Sequence, residues 1–198
     1  MLHANQTPKR CELSTAKLRM VCELEQDRWR HTISIFSDGD WRDVLTSVEG
    51  TPEQPCPASP AFQELLLEEK SPQLMEVQLF GRSGGCLYAA AVAVDEARET
   101  IDVDVSARFR GGELPETVGS TYAGGDWHLA GEGHDMAVQI NAQLRLAVIG
   151  AAEKPACGIR SGADGTLEIG YRNLSAASSS TGGTTLRWHY RISYGQLS

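Results

Sequence analysis

No apolar run in the chain approaches the ~20 residues that a membrane helix needs. The longest, Cys86 to Val94, is nine residues and suits a buried strand instead. Basic residues are the minority: 18 Lys and Arg against 26 Asp and Glu give a net charge of −8. Phosphate backbones and anionic lipid surfaces require clustered Lys and Arg, so this balance argues against nucleic-acid and membrane partners. The five cysteines (Cys11, Cys22, Cys56, Cys86, Cys157) are odd in number and hold no CxxC pair. They read as reduced thiols of a cytoplasmic protein rather than as a disulfide frame. Met1 to Lys17 lack the apolar stretch of a secretory signal. Neither GxxxxGK nor GxGxxG occurs, no fixed-period repeat is found, and no cofactor is implied.

What is present is strand-forming. The chain has 198 residues, 41% of them hydrophobic, enough for one domain with a core of its own. Residues 1–10 are polar and read as a disordered tail; 11–198 read as a single antiparallel β domain. Ile101, Val103, Val105, Ala107 and Phe109 alternate with polar residues. So do Val138 to Val148, Leu167 to Tyr171 and Leu186 to Ile192. Period-2 alternation with one wet face is the habit of antiparallel sheets.

Apolar rows also set a register. A turn at Gln26-Asp27 places Leu24 against Trp29, Cys22 against His31, Met20 against Ile33 and Leu18 against Ile35. A turn at Ser37-Asp38-Gly39-Asp40 then sets Phe36 against Trp41, Ile33 against Val44 and Trp29 against Val48. A third hairpin, around residues 95–99, pairs Val94 with Ile101 and Cys86 with Phe109. A one-residue slip there would bring Asp102 and Asp104 among the apolar residues. Residues 62–70 fit either a helix started at Ser59-Pro60 or a strand turning back through Lys70-Ser71-Pro72; the strand is preferred. Residues 110–135 and 173–185 read as Gly-, Ser- and Thr-rich loops, and 51–60, with four prolines, as another. The expected fold is all-β: an antiparallel sandwich or strongly curved sheet of about nine or ten strands, with little helix.

Several constellations bear on chemistry. Gly81-Arg82-Ser83-Gly84-Gly85 matches GxSxG, and a serine hydrolase would use Ser83 with His134 or His189 as base and Asp104 or Asp126 as orienter. Alternating strands downstream, with no crossover helices, oppose that architecture and make Ser83-Gly84-Gly85 a hairpin turn. Asp102 and Asp104 share one face beside Ala93 and Ala91, with room for a divalent cation. Cys22 beside His31 offers two zinc ligands where three or four are needed. The Gly-rich loop holds Trp127, His128, His134 and Asp135, the leading ligand-binding cluster, since long loops carry function more often than strands do. Arg187, His189 and Arg191 share a face, fit either to take an anion or a partner's acids or to blunt a sheet edge. Cys86 to Val94 is apolar on both faces, and its second face, lined by Leu87, Ala89, Ala91 and Ala93, invites something to pack on it.

The expectation is therefore a non-catalytic, β-rich cytoplasmic module that binds a small molecule or protein partner, or assembles as a homo-oligomer. The alternatives are a serine hydrolase using Ser83, and a divalent-metal protein using Asp102 and Asp104 or His128 and His134.

Overall fold

A computed structural model of the chain describes residues 2–51, 53–54, 56–111, 114–124, 127–130, 137–140, 144–149, 157–162, 164–174 and 183–195. Sixteen strands are found among them, in two open antiparallel sheets of eight. The first sheet runs, in spatial order, β1 (His3–Thr7), β2 (Arg10–Ser14), β3 (Leu18–Glu25), β4 (Arg28–Ser37), β5 (Asp40–Ser47), β10 (Thr117–Ala123), β15 (Leu167–Arg172) and β14 (Gly158–Ser161). The second runs β11 (Trp127–Ala130), β12 (Ala137–Ile140), β13 (Leu144–Ile149), β16 (Thr184–Tyr194), β9 (Thr100–Phe109), β8 (Cys86–Asp95), β7 (Leu74–Ser83) and β6 (Glu64–Ser71). No α-helix occurs among the described residues, and none there is long and apolar enough to cross a membrane.

The sheets are layered face to face, a sandwich. Their inner faces share one core, in which Trp188, Tyr122, Tyr190, Leu18, Ile33, Leu45 and Ile101 are fully buried. Hydrogen bonds cross the layer. The Trp188 indole donates to Ser120 Oγ at 3.0 Å, and the Tyr171 hydroxyl donates to the Arg187 carbonyl. The hydroxyls of Tyr122 and Tyr190 bond to one another, and Tyr122 also shares a proton with His31 Nε2 at 2.7 Å. Each aromatic ring contributes apolar area while its polar tip finds a partner; His31 Nδ1, by contrast, is buried with no hydrogen-bond partner among the described residues.

The hairpin registers follow the apolar rows. Leu18↔Ile35 through Leu24↔Trp29 pair as expected, and so do Cys86↔Phe109 through Val94↔Ile101. Residues 64–71 form a strand that turns back onto β7, and Ser83 and Cys86 close a two-residue turn at Gly84-Gly85, where Gly84 has φ +55°. Asp38 and Gly39 both have positive φ, the signature of a tight hairpin loop that matches strand twist.

Four differences have physical causes. Ile33 faces Leu45, not Val44, because a β-bulge between Ile33 and Ser34 lets two successive apolar residues, Val44 and Leu45, both be buried. Trp29 does not face Val48: the Trp29 N–H donates to the Phe62 carbonyl and the Val48 N–H to the Thr121 carbonyl. The run from Val138 to Val148 is two strands, β12 and β13, paired Ile140↔Leu144. Ile140 and Leu144 are four positions apart in sequence, an even step, so sequence alternation alone carries no mark of a break between them. Finally, His3–Thr7, read as tail, lie as an exposed edge strand on β2, and β10, β11 and β14 raise the strand number well above ten. The inward positions of β10 include the polar Ser120, which carries little apolar signal.

Candidate functional site

Five strands of the second sheet, from β6 to β9 with β16 beyond, carry the best-defined outer surface. Along β8 the outward residues are Leu87, Ala89, Ala91 and Ala93, all half-buried, while Cys86, Tyr88, Ala90, Val92 and Val94 point to the core. The neighbours on either side are taller. On β7, Gln78 lies beside Ala91, Phe80 beside Ala89 and Arg82 beside Leu87. On β9, Asp104, Ser106 and Arg108 take the same three places. A floor of small residues between taller walls makes a shallow trough along β8. Its four floor positions span about 20 Å at two residues per ~6.7 Å. A depression of about 380 Å³ lies over its middle, lined by Gln78, Phe80, Ala89, Ala91, Ser106 and Arg187 among others. Phe80 keeps 37% of its surface exposed, and Leu66 on the neighbouring edge strand keeps 58%; they are the large hydrophobic residues most exposed among the described residues.

On the β9 side of the trough, Asp102 and Asp104 are paired with bases of β16. Arg187 grips Asp104 through two nitrogens, and Arg191 Nε donates to Asp102 Oδ1 at 2.9 Å. His189 Nε2 lies 3.2 Å from the same Asp102 oxygen. The Arg187 guanidinium holds the Asp104 carboxyl below its usual range, while partial burial works the other way.

This arrangement corrects two expectations. Asp102 and Asp104 already have two arginines and a histidine as partners in their own chain, so they are not a vacant pair, and no group of three or more metal-capable side chains exists among the described residues. Arg187, His189 and Arg191 neither blunt an edge nor await a partner's acids. Their strand, β16, is interior, between β9 and β13.

Among the described residues the serine-hydrolase constellation is not assembled. Ser83 sits at a hairpin end, not on a strand–helix elbow, and its hydroxyl donates to the Gln54 carbonyl at 2.6 Å. It faces inward with Cys86, whereas Asp104 faces outward about 17 Å further along the sheet. His134 and Asp126 lie outside the described residues, and so does Asp135. Trp127 and His128 belong to β11, at the far edge of the second sheet, where they pair with Ile140 and Gln139; their side chains lie outside the described parts. The His128 and His134 metal alternative falls there with them.

Cys22 and His31 do pair across β3 and β4, and His31 is buried between the sheets, bonded to Tyr122. Burial drives its pKa down to about 4. Nearby, the Ser47 hydroxyl accepts from the His31 N–H and donates to Glu49 Oε1 at 2.6 Å. Burial raises Glu49 to about 7, against the opposing pull of that hydrogen bond and of Arg28. These groups are structural: they lie beneath the sheets, away from the trough.

Phe80, Arg82 and Arg108 were not singled out by sequence. The signal existed, since the register through β7, β8 and β9 puts them around Leu87 and Ala89, but it emerges only when three strands are aligned together.

No protein-family model matches the chain, and no curated protein matches it in sequence. Among solved structures, the galactosidase domain of an alpha-galactosidase-sucrose kinase, AgaSK, superposes on 99% of this chain with a TM-score of 0.54 and 9% sequence identity. The chain spans 42% of that protein's length. At this identity the likeness shows the fold alone.

Proposed function

We propose that this chain is a non-catalytic binding module that takes an extended saccharide in the trough along β8. The observation that carries the reading is the exposed Phe80 ring standing beside a small-residue floor, with Gln78, Ser106 and the Asp104–Arg187 pair within reach on the walls. Sugar rings offer an apolar C–H face and a rim of hydroxyls. An aromatic ring takes the first; amide, hydroxyl, carboxylate and guanidinium groups take the second. A flat floor about 20 Å long admits several linked rings, and alanines let them approach the backbone closely. The protein that shares this architecture is described as part of a galactosidase, which makes galactose-containing oligosaccharides the first ligands to try. Five free thiols suit a reducing compartment, the cytoplasm.

Calorimetric titration with galactan oligosaccharides tests the reading. Binding is expected in the micromolar to millimolar range, lost in Ala91→Trp, which fills the floor, and weakened about tenfold in Phe80→Ala. Binding that survives Ala91→Trp undiminished would place the ligand elsewhere and end the proposal. The exposure of Leu66 and Phe80 on one face supports a second reading, self-association through that face. Sedimentation velocity decides it. A dimer that dissociates in Leu66→Asp/Phe80→Asp supports self-association, and a monomer at all concentrations refutes it.

A further inference from the structure

The arginines of this chain are nearly all matched, and the exceptions converge. Ten of the fourteen arginines have a carboxylate within 4.0 Å. Arg82, Arg108, Arg110 and Arg145 have none among the described residues. Three of those four sit at one end of the trough. Arg82 and Arg108 flank Leu87 from β7 and β9, on the same outer row. Their Cα atoms are therefore about 10 Å apart, two inter-strand spacings. Arg110 follows one outward position beyond Arg108, its N–H bonded to the Gly85 carbonyl. With Arg82, Leu87 and the Gly84-Gly85 turn it lines a depression of about 200 Å³. All three side chains are exposed.

In a protein of net charge −8, three guanidiniums with no carboxylate within 4.0 Å among the described residues gather around Leu87, while Asp27 and Glu64 line the neighbouring depression with Arg82. Exposed ion pairs contribute only about 0–1 kcal/mol, so leaving these three arginines unpaired has little effect on folding. We propose that this arginine end recognises an anionic substituent, so that the trough's ligand is an acidic saccharide bearing a carboxylate or a sulfate; this rests on the trough being the binding site. The acidic group lies over Leu87, within reach of Arg82 and Arg108 from opposite sides. Its sugar ring continues along Ala89 and Ala91 past Phe80. Guanidinium forks match the planar oxygen pairs of carboxylates and the oxygens of sulfates, with charge-assisted hydrogen bonds stronger than neutral ones.

The test titrates the full chain with three probes: an oligogalacturonate, a sulfated galactan oligosaccharide and a neutral galactan oligosaccharide. An anionic probe is expected to bind roughly ten- to a hundredfold more tightly than the neutral one at low salt, with the advantage shrinking as salt rises. Whichever anion is preferred identifies carboxylate or sulfate as the source. In Arg82→Glu/Arg108→Glu the ratio of anionic to neutral affinity should fall to one or below, while the melting temperature stays unchanged. Equal binding of all three probes, insensitive to that double variant, overturns the anion preference and leaves the trough reading standing. If none binds, the trough reading fails and this inference goes with it. Poly-glutamate binding as tightly as the best saccharide would overturn the saccharide class in favour of an acidic peptide.

Discussion

Polar groups are concentrated in two places in this protein, between the sheets and on the outer face of the second sheet, and they obey different rules. Inside, His31, Tyr122 and Tyr190 form a chain whose links are all buried, so removing one strands the others away from water. Outside, Asp102 and Asp104 are half-buried but their arginine partners reach into solvent, which can replace part of any lost bond. Arg187, for example, keeps 72% of its side chain exposed. The interior network defines how the layers meet, and the exterior one is energetically light. An outer face that contributes little to stability is free to be shaped for a ligand.

The sharpest way to test that contrast is to remove the largest shared ring. Trp188→Ala deletes a fully buried indole and its bond to Ser120, and urea unfolding should show a loss of roughly 3–5 kcal/mol. A loss below about 1 kcal/mol would mean that the layers do not pack as described.

The next effect appears in the pH dependence of stability. Glu49, raised from 4.5 to about 7 when folded, holds its proton longer than the unfolded chain does. Its contribution is present below pH 4.5 and is lost as pH rises to 7. His31, lowered from 6.5 to about 4, acts oppositely: its contribution is present above pH 6.5 and is lost as pH falls to 4. Each amounts to roughly 3 kcal/mol, so the two slopes largely cancel between pH 4.5 and 6.5. Glu49→Gln should unmask a stability that climbs with pH up to about 6.5. His31→Gln should unmask one that declines with pH from about 4.5. Flat profiles in both variants would refute the assignment.

A smaller change should follow Tyr190→Phe, which keeps the ring and deletes one buried hydroxyl; about 1–2 kcal/mol is expected in the same unfolding measurement. The smallest should follow Arg187→Ala on the outer face, no more than about 1 kcal/mol. If Arg187→Ala proved costlier than Tyr190→Phe, the division between a structural interior and a permissive exterior would be inverted.

Sequence made the hairpins legible because each is local: a tight turn and two facing apolar rows carry enough information to set Cys22 against His31 and Ala91 against Asp104. It was blind where the signal is not apolar. Ser120 and Gly119 of β10 contribute nothing to an alternation count. Yet Gly119 faces Gly170 so closely that a methyl group on Gly119 would stand 2.3 Å from the Ile169 carbonyl oxygen. It was also blind to which hairpins adjoin. That β16 lies between β9 and β13 is a long-range fact, and without it Arg187, His189 and Arg191 look unpaired. The trough falls between these cases. Its floor was visible as a strand greasy on both faces, but its walls needed the order of three strands.

The position of β16 also bears on how the molecule assembles. It is synthesised after both strands it joins, so the ribbon of β11, β12 and β13 has no hydrogen-bonded bridge to the β6–β9 meander until Thr184–Tyr194 slots into the gap. Such distant pairing slows folding. Until that last insertion, β9 and β13 each present a naked margin, and a neighbouring nascent chain could donate its own copy of the missing piece. Exchange of this strand between molecules is thus the misassembly that this topology invites.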